Sequence, residues 1–296
     1  MKILLLGANG QVGRELGRSL LPLGELVSAT RDGRLTDGSN CEVADLEHPG
    51  ELGALVERIR PEVVVNAAAY TAVDRAEEER GTAFRINAEA PGVIAEACAR
   101  MDARLVHYST DYVFDGSATR PYAERDPTAP LGVYGESKLA GEQAIEGSGA
   151  RHLIFRTAWV YAAHGRNFMN TMLRLARERD ELRVVADQVG TPTPAALIAD
   201  VTAISISRPG MACGLYHLTP HGSTTWHGFA MAILAGAHAR GLLEKPPRVV
   251  PIATSEFPTP ARRPAYSCLD VGKVEAALGR VLPEWTAGLE TVLAAS

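Results

Sequence analysis

Tyr134 and Lys138 stand four positions apart in the run Tyr134-Gly135-Glu136-Ser137-Lys138. In a helix this spacing puts phenol and ammonium on one face, a turn apart. The lysine charge favours phenolate, so the tyrosine pKa is expected to fall towards neutrality. A phenol tuned in this way gives a proton to a carbonyl oxygen during reduction and takes it back in the reverse direction. Surface helices also hold such pairs as solvated contacts, so the rest of the chain decides. Thr110 closes the apolar stretch that begins at Leu105, where its hydroxyl would donate to a substrate carbonyl. Near the start lies Gly7-Ala8-Asn9-Gly10-Gln11-Val12-Gly13. Glycines at this spacing allow a tight turn, and backbone N–H groups then approach a pyrophosphate at a helix N-terminus.

These groups need a scaffold that presents them together. Residues 2–6 are a continuous apolar run, as for a strand buried on both faces, and Val12 to Leu23 reads as the helix after it. Leu26 to Thr30 is the second strand. It ends at Arg31, which would hold the 2′-phosphate of NADPH, and at Asp32, whose carboxylate keeps NADH open. Val43-Ala44-Asp45-Leu46 reads as a short third strand and its exit, with Asp45 accepting from an adenine amino group and Ala44 beside it. A helix over 49–59 and a strand over 63–66 lead to Ala67, Ala68 and Ala69, small enough for a flat cofactor to lie against the backbone. The acidic run Glu77-Glu78-Glu79 reads as a solvated face. A helix over 82–100 carries Asn87, Ala90, Ile94 and Cys98 on one side. The strand Leu105–Ser109 brings Tyr108 towards the same cofactor and Thr110 to its carboxyl end. Alternating strands and helices at this rhythm predict an α/β fold: a Rossmann-type, doubly wound parallel sheet.

The second half continues the alternation without a repeat or low-complexity linker. A strand over 152–157 ends before Trp159, which either stacks on a base or sugar or belongs to the core. Helices are expected over 168–179, from Ala195 and over 225–239, with strands at 182–186, 215–218 and 248–250 and two helical pieces at the end. The division expected is a dinucleotide-binding domain over 1–160, to which later strands return, and a smaller C-terminal substrate lobe over 161–296.

A net charge of −5 over 296 residues argues against a nucleic-acid surface or a polybasic membrane patch. No apolar run approaches the length that spans a bilayer. Cys41, Cys98, Cys213 and Cys268 are scattered, which suggests reduced thiols and a cytoplasmic protein. The eight histidines show no metal-ligand spacing, so no metal site is expected from them. Ser109 and Ser137 lack a Gly-x-Ser-x-Gly elbow, which counts against a hydrolase.

Several blocks together resemble the dTDP-4-dehydrorhamnose reductase family, within the extended short-chain dehydrogenase/reductases. They are the glycine turn, Asn66 to Asp74, Ser109 to Gly116, Tyr134 to Lys138, Arg156 to Tyr161, Asp187 to Thr193, and Arg262-Arg263-Pro264 with Leu269-Asp270. The resemblance runs over nearly the whole chain. It implies NADPH-dependent reduction of the C4 ketone of dTDP-4-dehydro-β-L-rhamnose, with Tyr134 as proton donor and Lys138 on the nicotinamide ribose. It also places Thr110, Asp111 and Trp159 on the substrate. The related 4,6-dehydratases place Asp-Glu after the threonine; here Tyr112 follows Asp111, which favours simple reduction. Some family members form a magnesium-linked homodimer through carboxylates, and Glu15 matches one of these. A different class of reading is a non-catalytic module like the regulatory β subunit of methionine adenosyltransferase. A third is reduction or epimerisation of another nucleotide sugar.

Overall fold

The computed structural model describes residues 1–208 and 210–296. Strand β1 (Lys2–Leu6) is apolar and fully enclosed from Ile3 onward, so it can only be a central strand. It is followed by helix α1 (Gln11–Leu20), β2 (Glu25–Thr30), β3 (Glu42–Val43), α2 (Pro49–Ile59) and β4 (Val63–Asn66). Beyond β4 come α3 (Val73–Ala76), α4 (Arg80–Phe84), α5 (Ala90–Arg100), β5 (Arg104–Thr110), α6 (Val133–Gly147) and β6 (Arg151–Thr157). The sheet order is β3-β2-β1-β4-β5-β6, and the Gly214–His217 strand pairs parallel with β6 as the seventh member. The chain winds outward from β1 in one direction and from β4 in the other. The crevice beyond the carboxyl ends of β1 and β4 is therefore the switch point where such sheets bind ligands.

Two apolar layers clamp the sheet. One joins Leu16 and Leu20 of α1 to Ile198, Val201 and Ile206 of the Ala195–Ser207 helix. The other joins α2, α5 and Ile145 of α6. A separate core unites Met169, Met172 and Leu173 with Phe229, Ile233, Leu289 and Leu293, around the parallel pair Glu181–Val185 and Arg248–Ile252.

The third strand is short, Glu42–Val43, and the expected exit begins at Ala44. Asp45 accepts the backbone N–H of Glu47 at 3.0 Å, and its carbonyl accepts that of His48, so the chain turns instead of extending. The expected helix over 82–100 is interrupted by a π-helical turn at Arg85–Glu89. Its purpose is local: Asn87 of this turn donates to Tyr70 O and Ser137 Oγ, both at 3.0 Å, and accepts the Tyr70 N–H at 2.9 Å.

Candidate active site

The glycine turn joins β1 to α1 through Gly7, whose φ of 79° lies in the left-handed region. A Cβ at Gly7 would sit 2.7 Å from the Ala68 nitrogen, so glycine alone lets this turn lie against the end of β4. Gly10 caps α1 without a side chain, and the first helical hydrogen bond is Arg14 N–H to Gly10 O at 2.9 Å. The N–H groups of the first turn are thus free for an anionic ligand. Gly7, Gly10, Gln11, Val12, Arg31, Ala44, Ala67, Ala68, Ala69, Tyr108, Tyr134 and Lys138 line one cleft of about 530 Å³. Asn9, Thr30, Ile86, Ser109, Thr157 and Val160, not anticipated as contacts, complete much of its wall.

Two expected cofactor contacts lie off this wall. Gly13 faces back into the turn, where a Cβ would collide with the Gly7 carbonyl oxygen, so its role is close packing. The Asp45 carboxylate is held in its own turn and lies 3.7 Å from Arg31 and 3.3 Å from His48. Arg31 is exposed and reaches Glu47 at 3.8 Å, while Asp32 accepts the Thr30 hydroxyl at 3.0 Å.

Helix α6 carries the tyrosine and lysine. Its first N–H, on Val133, is accepted by Glu77 Oε1 at 2.9 Å, and Arg80 pairs with Glu136 at 2.6 Å. Glu79 accepts the Tyr70 hydroxyl at 2.7 Å and pairs with Arg75. The acidic run is therefore no mere solvated face: Glu77 supplies the cap that Gly132, with no side chain, cannot. Gly135 and Gly141 let α6 approach closely, since a Cβ at either would collide with the carbonyl oxygen of Tyr112 or of Asn87.

Lys138 Nζ is buried; it donates to Tyr108 O at 2.6 Å and lies 3.2 Å from His107 Nε2. Burial pushes its pKa down to about 8, opposed by the charge of Glu142. Burial also pushes the Tyr134 phenol up to about 12, with the Thr110 hydroxyl working the other way and the charge of Asp111 adding to the rise. The expectation of a near-neutral phenol is therefore corrected: desolvation outweighs the lowering by the Thr110 hydroxyl, and Tyr134 stays protonated at ordinary pH. That is the form a proton donor requires. Its ring meets Tyr112 edge-on at 5.6 Å.

Thr110 and Asp111 are buried beside the phenol instead of on the cleft wall. Thr110 Oγ1 donates to Asp111 Oδ1 at 2.9 Å and accepts the Tyr112 N–H at 3.2 Å. Burial pushes the Asp111 carboxyl up to about 6 against the Ser267 and Thr110 hydroxyls, and its Oδ2 has no hydrogen-bond partner. Trp159 stacks on Trp226 with ring centroids 3.5 Å apart and planes within 6°, and Gly190 packs against its indole. The face turned to Trp226 is therefore covered, as for the core alternative, while the residue as a whole is half-buried. Its φ of 47°, rare for a bulky residue, marks a constrained position.

His107, the buried neighbour of Lys138, was not anticipated. Its signal is a polar side chain inside the otherwise apolar interior of β5, where it is 1% exposed. Among the described residues no group of three or more His, Cys, Asp or Glu is placed to hold a metal, and Glu15 lies 3.5 Å from His164 and 3.3 Å from Arg18. No described helix is long and apolar enough to cross a membrane.

Comparison with known proteins shows the family and the fold. The family model described as RmlD substrate binding domain matches residues 1–296. The chain is 50% identical to the dTDP-4-dehydrorhamnose reductase of Burkholderia thailandensis over 296 residues, covering 96% of this chain and 95% of that protein. It is 47% identical to the enzyme of that name from Escherichia coli K12, covering 99% and 97%. Among solved structures, it is similar to a dTDP-4-dehydrorhamnose reductase from Clostridium acetobutylicum, with a TM-score of 0.90 and 37% identity over 100% of this chain and 99% of that one. It is also similar to the Bacillus anthracis enzyme in complex with NADP, with a TM-score of 0.88, 34% identity and coverage of 100% and 99%.

Proposed function

The chain belongs to the dTDP-4-dehydrorhamnose reductase family, and from that membership we infer that it is an NADPH-dependent oxidoreductase reducing the C4 ketone of dTDP-4-dehydro-β-L-rhamnose to dTDP-L-rhamnose. The observation that carries the residue roles is the single cleft joining the glycine turn, the Ala67–Ala69 strand end, Tyr134 and Lys138. The cleft fits a nicotinamide dinucleotide, since the uncapped start of α1 offers backbone donors and no Cβ fits at Gly7. When bound, that cofactor supplies the hydride.

The protein's own part follows from its geometry. Gly7, Gly10, Gln11 and Val12 present the turn and the start of α1 to a pyrophosphate. Arg31, exposed at the end of β2, is proposed to hold the 2′-phosphate that separates NADPH from NADH. Lys138, fixed by the Tyr108 carbonyl, is proposed to bind the nicotinamide ribose. Tyr134, neutral and half-buried on the cleft wall, gives its proton to the substrate C4 oxygen as negative charge develops there. Thr110 and Asp111, buried beside the phenol, are proposed to set Tyr134 against the substrate, and the lobe over 161–296 is proposed to hold the rest of the nucleotide sugar. Trp159 is proposed to contact the substrate with the part of its indole that Trp226 leaves open.

We further propose a cytoplasmic enzyme acting on a small nucleotide sugar, with a homodimer as the assembly that light scattering would check. A magnesium link through Glu15 gains no support from its surroundings, where a histidine and an arginine are its neighbours. Purified protein with NADPH should convert dTDP-4-dehydro-β-L-rhamnose to dTDP-L-rhamnose and leave a panel of GDP-4-keto sugars largely unreduced. Equal turnover across the panel would reject the assigned sugar.

A further inference from the structure

Positions 134, 138 and 142 of α6 are about one turn apart, so their side chains stand above one another on a single helix face. The first two line the cleft, and Glu142 lies one turn further on, 2% exposed. Arg156 of β6, equally buried, donates to both Glu142 oxygens, from Nε at 2.9 Å and from Nη2 at 2.6 Å. Among the described residues Arg156 makes no other ion pair, and its Nη1 has no hydrogen-bond partner. Its guanidinium lies over the Phe114 ring, 5.1 Å from the centroid.

Fastening α6 to β6 does not by itself account for charges in this place. Taking two ions out of water is costly, and an apolar pair of similar volume often holds two elements together as well or better. The pair is also incomplete, since Nη1 is left over. Lys138 puts a second cation into the same interior, and its direct contacts are uncharged: the Tyr108 carbonyl at 2.6 Å and His107 Nε2 at 3.2 Å. On its own helix face the compensating charge is the Glu142 carboxylate, one turn on. We propose that Glu142, oriented by Arg156, is a positioning residue for Lys138: its carboxylate keeps the buried ammonium charged at the cleft.

The other groups around Lys138 do not supply that charge. On β5, His107 is neutral, because burial and the lysine charge hold its pKa well below the usual value. Beyond the end of β5, the Asp111 charge acts on the Tyr134 phenol, and Tyr112 is itself a phenol kept neutral by burial. On the Gly214–His217 strand, His217 is fully enclosed and pushed down to about 3 by burial and by the Arg156 charge. On α5, burial pushes the Cys98 thiol up to about 12. Burial draws Lys138 towards the neutral amine, and the charge of Glu142 opposes it.

This inference deepens the reductase reading and rests on it only for its kinetic consequence. The chain has four lysines, Lys2, Lys138, Lys245 and Lys273, so 13C-lysine labelling gives a short spectrum in which Lys138 is the resonance lost in Lys138→Met. Glu142→Gln keeps the size and an oxygen for Arg156 but removes the charge, so the Lys138 titration midpoint should fall by about one pH unit. The alkaline limb of kcat/KM should move down with it. Glu142→Asp, which keeps a carboxylate, should retain most of the unaltered midpoint. The double variant Glu142→Met with Arg156→Met replaces the pair by apolar side chains. It should melt no lower than the unaltered protein and still show the lowered midpoint. This variant separates charge from fastening, and it carries the test if Glu142→Gln does not fold. An unaltered midpoint in a folded Glu142→Gln variant, or an unaltered midpoint in the double variant, would overturn the proposal. A protein that shows the shift but never oxidises NADPH supports this inference and rejects the reductase reading alone.

Discussion

Asp111 is 2% exposed with one carboxylate oxygen unpartnered, a costly arrangement for a charge that must exist at neutral pH. Its folded pKa of about 6 lies above the ordinary 3.8, so the sign is fixed. Its contribution to stability is whole below about pH 3.8 and is lost as pH rises through about 6, a difference of roughly 3 kcal/mol. Asp111→Asn should therefore melt at a higher temperature than the unaltered protein at pH 8, with the advantage vanishing below about pH 4, while turnover falls. Equal melting curves at pH 8 would show that the carboxylate carries no such burden. Arg31 poses a simpler test. Arg31→Ala should raise KM for NADPH roughly tenfold, about 1.4 kcal/mol, and leave KM for NADH nearly unchanged; equal effects on both would remove Arg31 from 2′-phosphate recognition. At this scale, the types and order of the chemical groups were legible from spacing, because Tyr134, Lys138 and the glycine turn follow local rules. The direction of the Tyr134 shift was not. It depends on burial by distant segments, as does the placement of Thr110 and Asp111 behind the cleft wall.

At the scale of elements, α6 is held by contacts that no local pattern announces. Glu77 caps it from 56 residues away, and Gly141 lies against the carbonyl of Asn87 in the π-turn. Gly141→Ala is a favourable change for an isolated helix, by about 1 kcal/mol. Here the added methyl must displace backbone, so the variant should melt lower and lose about tenfold or more in kcat with KM less affected, as Tyr134 is moved. A variant with unchanged melting temperature and kcat would show that the close approach is not needed. The strands and most helices were legible because their apolar runs and turn residues fix them within a few positions. The π-turn was not, since its extra residue is justified only by the Tyr70 loop and Ser137 that Asn87 bridges.

Taken whole, the molecule does not divide cleanly at residue 160. The Gly214–His217 strand extends the main sheet, and the Ala195–Ser207 helix covers the apolar face of α1. A fragment spanning residues 1–160 should therefore expose that face and fail to show a cooperative melt, whereas the full chain melts as a folded unit. A soluble fragment with a sharp transition would instead support an autonomous first domain. The doubly wound parallel sheet, and a site beyond the carboxyl ends of its strands, were legible from the alternation of elements, whereas the strand order was not. The return of late segments to the first layer was legible only in outline, because the pairing of β6 with Gly214–His217 joins residues some sixty positions apart.

The most direct test compares NADPH oxidation by the unaltered protein and Tyr134→Phe with dTDP-4-dehydro-β-L-rhamnose, both shown to be folded by circular dichroism. Loss of the proton donor should lower kcat by about 10²-fold or more, with little change in cofactor affinity. A Tyr134→Phe variant that turns over at the unaltered rate would contradict the account at its centre.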